Sequence, residues 1–92
     1  MSYKRKTTDV DHTGPGGPIR VPLCENARES RSIGAYAAEI LARRIYGRNG
    51  TIGAFRLDSW STDNSFFTYD AFLGESRDDG ITGRNYTLYV SL

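Results

Sequence analysis

Apolar and polar residues change their period along this chain, and each change marks an element. From Ala27 to Tyr46 apolar side chains recur every three or four positions, so that Ile33, Tyr36, Ala37, Ile40 and Leu41 share one side of a helical wheel with Ala35, Glu39 and Arg43 opposite. That spacing predicts a helix with one buried face. Asn26 followed by Glu29 has the form of a capping box with Asn in place of Ser or Thr, and Gly47 suits the position just past the last turn. After Gly50 the period drops to two. Thr51–Trp60 sets Gly53, Phe55 and Leu57 against Ile52, Ala54, Arg56, Asp58 and Trp60, and Ser65–Leu73 sets Phe67, Tyr69, Ala71 and Leu73 against Phe66, Thr68, Asp70 and Phe72. With turn chemistry at Ser61-Thr62-Asp63-Asn64, the two runs read as a hairpin. Gly74–Arg84 reads as a long polar loop, and Tyr86–Leu92 as a third strand.

Residues 1–25 show no helical period, and Gly14-Pro15-Gly16-Gly17-Pro18 breaks any regular element. This segment is expected to be an extended Gly/Pro-rich arm, with room for short edge strands at Ile19–Leu23 and Tyr3–Val10. The expected fold class is α+β: one helix packed on a three- to four-stranded antiparallel sheet over residues 26–92, preceded by that arm.

Length and composition narrow the class. Ninety-two residues with 38% hydrophobic and 25% charged side chains support one modest core. No apolar run is long enough to span a bilayer, and Met1-Ser2-Tyr3-Lys4-Arg5-Lys6 leads into polar residues, so neither membrane insertion nor secretion is expected. The lone Cys24 forms no internal disulfide and fits a reducing cytoplasm.

The net charge of +1 hides an asymmetry of +4 over residues 1–50 and −3 over residues 51–92. Ten of the twelve basic residues are Arg. Arginine forks phosphate and carboxylate and stacks on rings, which points to an interface, although a genome-wide Arg bias gives the same count. Arg44 falls near the middle of the apolar helix face, either because the last turn overhangs the sheet or because Arg43, Arg44 and Arg48 form a basic cluster. Eleven aromatic residues are too many for one helix-on-sheet core, so some are expected at the surface.

Catalytic chemistry finds little support. Asp9-Val10-Asp11-His12-Thr13-Gly14 begins like a calcium loop, but Arg20 stands where the bidentate Glu belongs. His12 and Cys24 are too few to hold a metal, and the flexible segment beside His12 is a poor base for a nucleophile pair. Gly47, Gly50 and Gly53 follow a helix and precede a strand, the reverse of a phosphate-binding loop. No enzyme, metal, cofactor or small-molecule substrate is expected. The remaining readings are a protein-interaction module and an independent RNA- or single-strand-binding module, both drawing on Arg and exposed rings. An unrelated phage or plasmid regulator, dimeric through the third strand's open edge, is a further alternative.

In size, Arg- and aromatic-rich α+β layout, and the segments Gly14-Pro15-Gly16-Gly17-Pro18-Ile19-Arg20-Val21-Pro22, Tyr46-Gly47-Arg48-Asn49-Gly50 and Arg56-Leu57-Asp58-Ser59-Trp60, the chain resembles small phage-encoded anti-CRISPR proteins acting on type I-F systems. These inhibitors share no common motif. The resemblance implies stoichiometric binding, as a monomer in the host bacterial cytoplasm, to the multi-subunit crRNA-guided Cas surveillance complex and blockage of target-DNA hybridisation. With a net charge of +1 and clustered Arg the chain does not imitate duplex DNA, so its expected seat is along the guide RNA and backbone subunits. Candidate contact residues are Lys4, Arg5, Lys6, Arg20, Arg43, Arg44, Arg48 and Arg56 for phosphate or acidic surface, with Trp60 and Tyr89 as apolar anchors.

Overall fold

A computed structural model describes residues 6–61 and 66–92. Strands β1 (Thr7–His12) and β2 (Ile19–Pro22) precede helix α1 (Ala27–Tyr46) and a short 3-10 turn (Gly47–Asn49), followed by β3 (Gly50–Ser61), β4 (Phe66–Arg77) and β5 (Gly80–Ser91). They form one five-stranded sheet in the order β2-β1-β5-β4-β3, antiparallel throughout, with α1 packed on one face. The α+β architecture stands, with five strands where three to four were expected.

The helix begins and ends where its caps predict. The Asn26 side-chain oxygen accepts the Glu29 amide at 3.2 Å, and Gly47, at φ 79°, donates its amide to the Arg43 carbonyl. Glu29 reaches back to the Glu25 amide at 3.1 Å, one residue before the expected partner. The buried face is turned from the one expected. Ser30, Ile33, Gly34, Ala37, Ala38, Leu41 and Ala42 are buried, while Tyr36 is 51% exposed. Small side chains explain the rotation, because they let the helix sit close to the sheet: a Cβ on Gly34 would lie 3.0 Å from the Phe55 ring and 3.2 Å from Tyr69.

Residues 7–22 are not a free arm. They form a β1–β2 hairpin that joins the sheet through Asp11 opposite Tyr89 and His12 opposite Leu88. Burial of Val10, Ile19 and Val21, each at most 2% exposed, supplies the driving force that the short alternation concealed. The Gly/Pro loop is tied down as well. His12 Nδ1 accepts the Gly14 amide at 3.1 Å, which leaves the proton on Nε2 to donate to the Gly17 carbonyl at 2.9 Å.

The expected loop at 74–84 is strand instead. β4 and β5 pair as far as Arg77 opposite Gly80, and Asp78-Asp79 alone make the turn. Gly74 and Gly83 face each other inside the ladder, where each backbone occupies the space a side chain would need. In β3, register shifts between Ile52 and Ala54 and between Leu57 and Ser59 insert Gly53 and Asp58 as bulges. The strict alternation expected for β3 is broken, and Ile52, Phe55, Leu57 and Trp60 all pair with helix-side residues of β4.

One polar pair lies inside the core. Ser30 Oγ donates to the Ala27 carbonyl at 2.8 Å and so accepts from the Tyr69 hydroxyl at 2.6 Å. Ser30→Ala should strand that hydroxyl and cost about 1–3 kcal/mol, whereas Ser30→Ala with Tyr69→Phe should recover much of the loss. Chemical denaturation of the three variants measures this.

The Tyr46 and Tyr86 hydroxyls meet at 3.1 Å near the helix C-terminus. Burial, and then the bond to Tyr46, push the Tyr86 phenol above the ordinary tyrosine range. The folded state therefore holds this proton more tightly than the unfolded chain does. That contribution is complete below the ordinary tyrosine range and is lost as pH rises through the folded value, so the melting temperature should fall above about pH 10 and fall less in Tyr86→Phe.

Candidate binding surface

The strand order leaves β3 as a long outer edge, while β5 lies inside the sheet between β1 and β4. β1 covers the last strand only around Thr87–Tyr89, so the first half of β5 keeps an outer side without a described partner. Along β3 the Asp58 bulge makes Leu57 and Trp60 consecutive residues of the helix-side face, and they are 48% and 53% exposed. The helix starts too far back to cover Trp60: its first buried residue, Ser30, reaches Tyr69, one pair short of Phe67, while Leu57, opposite Tyr69, lies one strand further out. Trp60 stacks on Phe67 at 5.7 Å between ring centres, and Phe55 stacks on Tyr69 at 4.9 Å. The exposed rings are thus anchored on buried ones.

Guanidinium groups rim this edge. Arg31 lies 5.5 Å above the Phe55 ring and donates to the Phe55 carbonyl at a long 3.4 Å. Arg43 pairs with Glu39 at 2.9 Å, and the two line a shallow depression with Gly50, Thr51 and Ile52. Arg48 sits exposed in the turn entering β3. Arg56, on the sheet's uncovered face, stands 3.7 Å from Asp70 with most of its side chain in water. Exposed pairs of this kind are weak, which leaves both guanidiniums able to exchange partners.

The other expected contact residues are dispersed. Arg44 donates to the Gly17 carbonyl at 2.5 Å, tying the helix end to the β1–β2 loop, and so does not cluster with Arg43 and Arg48. Arg20 bridges Asp9 at 3.2 Å and Thr7 at 2.9 Å on the opposite outer strand. Tyr89 lies mid-sheet on the uncovered face, edge-on to Phe66 at 6.0 Å. Lys6 is exposed before β1, and Lys4 and Arg5 lie outside the described residues. Arg31, Phe55 and Leu57 were not among the expected contacts. The spacing of Arg31 from the apolar helix stripe could have flagged the first, but the exposure of Leu57 follows from β3 lying outermost in the sheet.

Among the described residues no group of three or more His, Cys, Asp or Glu could hold a metal ion, and no helix is long and apolar enough to cross a membrane. No protein family, curated protein or solved structure matches this chain.

Proposed function

We propose that this protein acts by stoichiometric occupation of a partner's surface, as an inhibitor of a type I-F crRNA-guided surveillance complex that blocks target-DNA hybridisation. The observation that carries the binding reading is the pair Leu57 and Trp60, half exposed on an outer strand, braced by stacked rings and rimmed by arginines. Tryptophan and arginine in such settings dominate binding energy. The choice of partner rests on the resemblance in size, layout and composition. Within that reading Trp60 and Leu57 seat on a subunit, and Arg43, Arg48 and Arg56 meet guide-RNA phosphate or acidic subunit surface.

Purified protein added to the assembled complex before labelled target DNA tests this. A one-to-one complex with loss of DNA hybridisation is the expected result. Unimpaired hybridisation at saturating protein overturns it, and tight, salt-sensitive binding to free RNA favours an independent nucleic-acid module instead.

A further inference from the structure

We propose that the outer edge of β3 receives an extended, acidic strand from a protein partner, so that recognition proceeds by adding a sixth strand to the sheet; this rests on the binding reading above and names what the partner contributes. β3 is twelve residues long and among the described residues pairs only with β4, so half of its backbone donors and acceptors face outward. Its two bulges leave Ala54–Leu57 as the longest interior stretch in regular register. The charge around that stretch selects the occupant. Arg31 flanks it on the helix side and Arg56 on the uncovered side, so alternate side chains of an added strand meet a guanidinium on each face, beside apolar Phe55 and Leu57. The long Arg31 bond to the Phe55 carbonyl is readily given up to a partner carboxylate.

A second copy of this chain fits poorly over Phe55 and Arg56. In an antiparallel pair, opposite residues point to the same face, so any twofold register centred on Phe55 or Arg56 sets Arg56 diagonally or directly across from the copy's Arg56. Like charges there oppose self-pairing.

The test uses the full-length protein with a Glu/Val peptide of repeating Glu-Glu-Val-Val, which carries both residue types on each face of a strand, and its Lys/Val counterpart, followed by amide NMR and hydrogen exchange. Millimolar Glu/Val peptide should shift and protect β3 amides. A peptide N-methylated on residues of both edges should bind at least about tenfold more weakly than one methylated on a single edge, which still pairs through the other. Arg31→Gln with Arg56→Gln should weaken binding by about tenfold while leaving the melting temperature close to the parent's. Shifts confined to side chains, equal binding of a Lys/Val peptide, or indifference to N-methylation would each overturn strand addition. Hydrogen exchange on the surveillance complex separates the two readings. Capture without β3 protection leaves the inhibitor standing and removes the added strand, whereas β3 protection by Glu/Val peptide without capture does the reverse.

Discussion

Gly83→Ala should unfold the protein or destabilise it by upwards of about 3 kcal/mol, the largest stability effect expected of any single methyl group added to this chain. Gly83 faces Gly74 across the β4–β5 ladder, and a Cβ there would run into the Leu73 carbonyl oxygen and lie 2.5 Å from the Gly74 Cα and 2.7 Å from the Leu73 carbonyl carbon. All three neighbours are backbone. Relief therefore requires the two strands to separate, and these strands carry Ala71, Leu73, Tyr86 and Leu88 of the core. Gly17→Ala is the matched control, since nothing lies within 4 Å of its would-be Cβ and its φ is not positive. It should be neutral or slightly stabilising through the unfolded chain. Denaturant midpoints for the pair decide the point; equal midpoints would mean that the facing glycines are not close-packed.

Trp60→Ala should have the largest effect on partner binding, with about 2–4 kcal/mol of affinity lost and a dissociation constant raised roughly thirtyfold to a thousandfold. The ring is 53% exposed and stacks on Phe67 from outside, so its removal deprives the partner of an anchor and uncovers only that one core ring. Phe67 itself is only 6% exposed with Trp60 in place, so some core stability is lost too. Leu57→Ala should weaken binding less, and Arg20→Ala, on the opposite outer strand and paired with Asp9, should leave it unchanged. Titration calorimetry against the partner complex, with melting temperatures beside it, distinguishes a lost anchor from a lost fold. Parental affinity in Trp60→Ala would move the binding surface away from β3.

The positions of these two effects differ in how far the sequence announces them. Trp60 was expected at the surface because eleven aromatic residues exceed what one helix can cover. Its companions were not. Leu57 was expected inside with Phe55, and it does share that face, but so does Trp60, because Asp58 is extruded between them. A bulge costs one residue of register and leaves no compositional mark beyond an ordinary Asp. The glycines of 74–84 misled in the other direction. Beside Asp78-Asp79 they have loop composition, whereas Gly74 and Gly83 are required by a close approach of two strands that only pairing brings into being.

Elements governed by neighbours within a few residues were determined by the sequence alone: the helix from Asn26 to Gly47, and the alternations that put Phe67, Tyr69, Ala71 and Leu73 on one face of their strand and Tyr86, Leu88, Val90 and Leu92 on one face of theirs, without saying which face turns inward. Capping and periodicity act locally, and the amino acids present carry that information directly. Tertiary structure decided the rest. It drew β1 and β2 into the sheet, turned the helix onto its alanines, split Arg43 from Arg44, and left β3 outermost with Leu57 and Trp60 uncovered. Those outcomes depend on which distant backbones come together and how closely. Pairings between residues tens of positions apart are fixed by the burial and sterics of the whole assembly, and no local window contains them.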